Sequence, residues 1–222
     1  MKKNAFTLAE ILITLGIIGV VSALTIPTLV QRNTNETHVQ QLKKAYADIS
    51  AAFDSILAEN NTANLRDTYL NTDDGNVNNV DRFLKEYFKV SVDCGTTRGM
   101  PCFADTYKNI NGDTMRIQDL LSGRQYSVLL SDGTAVSMTN NTPWVGVGLV
   151  IVQIDVNGSK GPNIIGRDFF SFQYINGISE DVWSSYLGTN RNLALTTCQS
   201  VQANYAAGCL KMIQLDGWKM DY

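Results

Sequence analysis

Between Ile11 and Val30 the chain carries no charged side chain, reading ILITLGIIGVVSALTIPTLV. Twenty apolar residues wound as a helix, at about 1.5 Å each, reach about 30 Å, the thickness of a bilayer's hydrocarbon core. Such a run folds most naturally as one membrane-spanning helix, expected over residues 6–30. Lys2 and Lys3 precede it and Arg32 follows it. Positive charge stays on the cytoplasmic side, so the N-terminus is expected in the cytoplasm and everything after Arg32 across the membrane.

The remainder has the composition of a folded domain. In 222 residues, 44% are hydrophobic and 18% charged, which excludes a disordered or collagen-like chain. Lys and Arg total 18 against 21 Asp and Glu, a net charge of −3. That balance argues against a general nucleic-acid binder, which would carry a basic face. His38 is the only histidine and lies far in sequence from every cysteine. Most zinc sites and most Ser-His or Cys-His catalysis therefore have no residues to use, and no enzyme is expected.

Glu10 decides among the readings of the apolar segment. A secretory signal would have a shorter apolar core and a small-residue cleavage site, whereas here Val30-Gln31-Arg32-Asn33 follows. A plain signal anchor fits the length but leaves Glu10 unexplained, since a carboxylate beside lipid is costly without a partner. The opening Met1-Lys-Lys-Asn-Ala-Phe-Thr-Leu-Ala-Glu10 resembles the leader of type IV pilins and type II secretion pseudopilins. The resemblance implies a leader at 1–5, cleavage by prepilin peptidase between Ala5 and Phe6, and N-methylation of Phe6. The family usually places glycine before the cut, where this chain has Ala5. It further implies that Glu10 of one subunit neutralises the Phe6 amine of its neighbour. Two charges costly alone in low dielectric thus pair only in the filament register. A local pair between Glu10 and its own chain's amine is the alternative.

Gly16 and Gly19 suit close helix approach, and Pro27 is expected to kink or loosen the outer end. Beyond Arg32, Val39, Leu42, Tyr46, Ile49, Phe53 and Ile56 recur at helical spacing, with Lys43, Lys44, Asp48 and Asp54 off the stripe. An amphipathic continuation is expected over 31–59, or else a separate helix after a break at Asn33 to Thr37. An extracytoplasmic domain should fill 60–222. Within it, Asn60 to Asn79 reads as a surface loop and Asp81 to Phe88 as a short helix. Gln125–Ser131 and Thr134–Met138 form a hairpin about Asp132-Gly133, while Leu149–Val156 and Phe169–Ile175 are further strands. The expected fold class is α+β: a long N-terminal helix on a small antiparallel sheet of three to four strands, with a loop-rich, disulfide-stapled C-terminal region.

Four cysteines allow three connectivities; the shortest loops close at least entropic cost, favouring Cys94–Cys102 and Cys198–Cys209. An oxidising compartment favours disulfides over thiols. Many pilins carry a C-terminal disulfide loop, as the second pair would provide. Calcium is the one cofactor the chain raises. Asp155, Asn157 and Ser159 alternate like the first ligands of a calcium loop and Asp168 could close the set. However, Lys160 and Gly166 stand where an EF-hand needs glycine and glutamate. Major pseudopilins bind calcium in their C-terminal region, though no ligand motif transfers to these residues. The competing reading, which weighs more, has Asp155 and Asp168 capping turns shaped by Gly158, Gly161 and Pro162. His38 is expected to be solvated, Ser179-Glu180-Asp181 to be a polar turn or helix start, and Trp144, Trp183 and Trp218 to be core or subunit contacts.

The expected function is that of a filament subunit of a secretion pseudopilus or type IV pilus in the bacterial inner membrane. Its partners would be prepilin peptidase, copies of itself or related pilins, and the assembly machinery. The alternative is an anchored extracytoplasmic module binding calcium or sugar.

Overall fold

A computed structural model describes residues 7–70, 77–121, 124–139, 149–175, 177–181, 184–200 and 206–222. The chain forms two compact units, Met1–Thr37 and His38–Tyr222, with the boundary between them inside the first helix. That helix, α1, runs from Leu8 to Glu59 with no break at Asn33 to Thr37, and contains Pro27.

In the first unit α1 is long and apolar enough to cross a membrane. From Leu8 to Val30 every residue except half-buried Ser22 is exposed. The hydroxyls of Thr14, Thr25 and Thr28 donate back to the carbonyls of Glu10, Val21 and Thr25 at 2.8–2.9 Å. Polar groups satisfied within their own helix are what hydrocarbon demands.

In the second unit the remaining turns of α1 bury Val39, Leu42, Ile49, Phe53 and Ile56, while Lys43, Lys44, Asp48 and Asp54 stay exposed. Helix α2 (Val77–Tyr87) adds Val80, Phe83 and Leu84 to the same core. Strands β1 (Val90–Gly95), β4 (Gln125–Leu130), β5 (Ala135–Thr139), β6 (Val150–Asp155), β7 (Phe169–Ile175) and β8 (Ile178–Asp181) form one antiparallel sheet in the order β1-β4-β5-β6-β7-β8. Strands β2 (Thr106–Lys108) and β3 (Thr114–Arg116) make a separate ribbon. Short helices α3 (Ile117–Leu120), α4 (Ser184–Leu187), α5 (Arg191–Gln199) and α6 (Cys209–Leu215) complete the unit. The fold is α+β, its main sheet larger than expected.

One strand carried no expectation, and two expectations are corrected. Strand β1 is hidden in the sequence by its two register shifts, which break the alternation on which strand recognition rests. Strand β8 occupies Ser179-Glu180-Asp181, where neighbouring charges suggest a turn. Asn60–Asn79 is not all surface: Leu65, at the start of a 3₁₀ turn, and Leu70 are buried. Asp132-Gly133 does make the β4–β5 turn, with Gly133 at φ +91° and its N–H donating to Leu130.

The sheet's two faces differ. Val136, Met138, Val152, Ile154, Phe170 and Phe172 share the face that meets α1, where Tyr46 packs edge-on against Phe172. On the opposite face, Ser127, Ser137, Gln153 and Ser171 lie in register across four strands, all buried. Gln125 and Thr139 lie beside them. Ser127 and Ser137 bond each other at 3.0 Å, but both amide atoms of Gln125 and Gln153 and the Thr139 hydroxyl have no partner among the described residues. A buried amide without partners costs more than an apolar side chain of its shape. Gln153→Met should therefore raise unfolding free energy by about 1–2 kcal/mol, measured by denaturant titration of the full chain in detergent. A loss of stability would mean that the amide is satisfied by bound water.

Candidate functional site

Thr7 and Glu10 close the N-terminal end of α1. The Thr7 N–H and hydroxyl both donate to Glu10 Oε2 at 2.8 Å, and the Glu10 N–H donates back to the Thr7 hydroxyl at 3.3 Å. This is a capping box, in which a threonine and a glutamate three residues on satisfy the end of a helix reciprocally. The signal Thr-x-x-Glu before an apolar run was available in the sequence. Glu10 Oε1 has no hydrogen-bond partner among the described residues. Ala5 and Phe6, the expected processing site, lie outside the described residues, as do Trp144 and Trp183.

In the second unit both expected disulfides are present, Cys94–Cys102 and Cys198–Cys209. The second joins α5 to the first residue of α6 and packs over Gly166. A Cβ there would stand 2.9 Å from Cys198 Sγ, and φ is +88°, so this position requires glycine.

Asp155 and Asp168 flank the candidate calcium loop. Asp155 Oδ2 accepts from the Tyr107 hydroxyl at 2.5 Å and Oδ1 from the Asn157 N–H at 3.1 Å. The Asp168 oxygens accept from the Asn163 and Ile164 N–H groups, each at 2.6 Å. All four carboxylate oxygens are thus engaged by four donors, three of them the loop's own backbone. Of the expected set, Asn157 keeps a side-chain oxygen with no partner among the described residues, and so does Asn163. No group of three His, Cys, Asp or Glu side chains that could hold a metal ion occurs among the described residues. This geometry favours the turn-capping reading. Burial, followed by the charge of Asp168, pushes Asp155 well above the ordinary carboxylate range. Burial also pushes Asp168 up to about 6.

Asp181, expected in a polar turn, is instead fully buried. Its oxygens accept from the Gly208 and Lys211 N–H groups at 2.8 and 2.9 Å, at the start of α6. Gly208 offers no side chain to cap α6. The edge strand supplies the cap across 27 residues of sequence, which no local pattern could reveal. Burial raises Asp181 to about 7 against the lowering effect of those N–H groups. His38 is also buried rather than solvated, and burial pushes its imidazole below the ordinary value against an opposing hydrogen bond with the Arg167 backbone. Trp218 packs near Tyr46, 5.9 Å between ring centroids.

A carboxyl that binds its proton more tightly when folded stabilises the fold below its unfolded value and loses that contribution as pH rises through its folded one. For Asp168 and Asp181 the window runs from 3.8 to about 6 and about 7. His38 works oppositely, its contribution being present above 6.5 and lost on acidification. In Asp181→Asn the melting temperature should fall less steeply between about pH 5 and pH 7 than in wild type, in thermal scans of the detergent-solubilised chain. An unchanged slope would show that Asp181 is ionised throughout. Calcium added to wild type should leave the melting temperature where it is, because the loop's carboxylates are already engaged; a rise would restore the calcium reading.

No family model, no curated protein and no solved structure matches this chain.

Proposed function

We propose that this chain is a pilin-like structural subunit, cut between Ala5 and Phe6 and assembled through its apolar helix into a secretion pseudopilus or type IV pilus filament. The reading rests on one observation. An exposed apolar helix begins in a capping box whose glutamate keeps an oxygen without a partner among the described residues, at the end of a stretch that resembles prepilin leaders. A cap alone needs no second oxygen at the lipid boundary. A neighbour's cationic N-terminus gives that oxygen a partner, and removes an otherwise costly charge from lipid. The activity is mechanical: subunits wait in the inner membrane, cytoplasmic end first, and polymerise.

Glu10→Gln tests this cleanly, because the amide oxygen still accepts from Thr7 and spares the helix cap. In the native cell the sedimenting filament fraction should fall about tenfold or more, as expected for loss of a low-dielectric ion pair. Intact mass and N-terminal sequencing should still find a chain beginning at N-methylated Phe6. Undiminished filaments in Glu10→Gln, or a chain still beginning at Met1, would favour the anchored binding module.

A further inference from the structure

We propose that His38 is an acid-released latch: while neutral it holds the first buried turn of α1 against the loop between β6 and β7, and on taking a proton it lets that turn go. The proposal does not depend on the filament reading.

His38 is the chain's only histidine and the residue at which the second unit begins. It is 5% exposed, on the turn of α1 that also buries Val39 and Leu42. One ring nitrogen donates to the Arg167 backbone carbonyl, and Nδ1 is buried with no partner among the described residues. The donor is therefore Nε2, where the neutral ring carries its one proton. The loop that it meets is itself tied down. The Arg167 N–H donates to the Ile164 carbonyl at 2.9 Å and the Arg167 guanidinium to the Tyr222 main-chain oxygen at 3.2 Å. The Tyr222 hydroxyl donates in turn to the Gly166 carbonyl.

A neutral imidazole suits this setting, because an unmet lone pair costs less than a buried cation. Protonation adds an N–H at Nδ1 and a full charge, and no anion is placed to receive them. Asp168, next in the loop, spends both oxygens on the Asn163 and Ile164 N–H groups. Arg167 is a cation itself. On α1, Glu36 is exposed and paired with Arg32 at 3.0 Å, and Lys43 lies over the Trp218 ring. Lys219 and Asp221 of the C-terminal segment are exposed. Burial and the Arg167 bond govern the imidazole's protonation, with no carboxylate among the described residues contributing. Gln41 Oε1, one helical turn on, is an uncharged acceptor, also buried without a partner among the described residues.

A proton therefore binds the released ring more readily than the latched one, so acid favours release. The latch's contribution is complete above pH 6.5 and is lost as pH falls toward the lower value of the folded ring. Asp168 and Asp181 respond in the opposite sense, since both bind protons more tightly when folded. Acid thus loosens one contact locally while these carboxyls favour the fold.

The test uses the full chain in detergent, with two readouts. Because there is one histidine, its ring signals in an NMR titration belong to His38, and their midpoint should lie below 6.5. Hydrogen exchange in peptides within His38–Tyr46, corrected for intrinsic pH dependence, reports release of the turn. Opening should become about tenfold more frequent for each pH unit below 6.5, until the folded ring itself titrates. In His38→Gln the amide nitrogen can still donate to Arg167 but takes no proton, so exchange in α1 should not respond to acid. Exchange that stays flat in wild type, or an equal response in His38→Gln, overturns the latch. A ring midpoint at 6.5 or above overturns it as well. So does a ring that takes its proton while α1 stays closed, which would place the new N–H on Gln41. Both wild-type readouts stand without the variant, so the outcome does not hang on the folding of His38→Gln.

Discussion

Phe53 is the residue on which the second unit is assembled. Its ring stacks on Phe83 of α2 at 5.0 Å between centroids and on Tyr174 of β7 at 4.4 Å. Helix, helix and sheet therefore meet at one side chain with no exposure to solvent. Large aromatic surfaces gain from burial and from preferred ring geometry together, which makes such a junction stiff. The stripe it belongs to holds α1 to the sheet. One flank of that helix is bonded to the edge strand through Tyr46 and Ser50.

The far side of the sheet and the C-terminal region obey a different rule. Buried carboxylates there do the work that hydrophobic packing does around Phe53. Asp155, Asp168 and Asp181 are each enclosed and each collect two donors. Two of them tie the loop between β6 and β7 to itself and to Tyr107; the third ties α6 to the edge strand. Because a buried carboxylate without donors would cost more than the fold can spare, these contacts specify one arrangement of irregular chain. Cys198–Cys209 then locks the same region covalently, over a glycine that leaves room for it.

The periodic features were legible in the sequence: both halves of α1, the stripe through Phe53, the Asp132-Gly133 hairpin and strands β6 and β7. Each rests on spacing between near neighbours, and a single sequence carries that information. Both disulfides were legible too, because short loops are the inexpensive ones to close. Bulges break the alternation in β1, and two neighbouring charges, Glu180 and Asp181, stand in β8, where burial depends on what lies across the fold. Asp181 is the sharpest case. A carboxylate next to a glutamate looks solvated until a helix start arrives from another part of the chain. His38 is misplaced for the same reason, since its cover comes from the region of Arg167. The capping box at Thr7 and Glu10 was local and readable, but the same glutamate already had a more conspicuous reading as the acidic residue of a prepilin leader.

The observed cap and the proposed intersubunit pair would be compatible at Glu10 because they would use different oxygens. Oε2 takes both Thr7 donors and ends the helix; Oε1 is left over. A helix that crosses lipid must satisfy its own end, since no water is present to do so. If the glutamate spent both oxygens on that task, assembly would have to break the cap before it could make an intersubunit pair. With the other oxygen left over, the cap fixes the carboxylate's position beforehand, and in the proposed filament a neighbour's amine would meet an acceptor already in place. The entropic cost of ordering that side chain would thereby be met on folding rather than on the proposed association. The charge itself remains costly in lipid until it is paired. In the filament proposed above, the attraction between subunits would thus be concentrated at one preset atom.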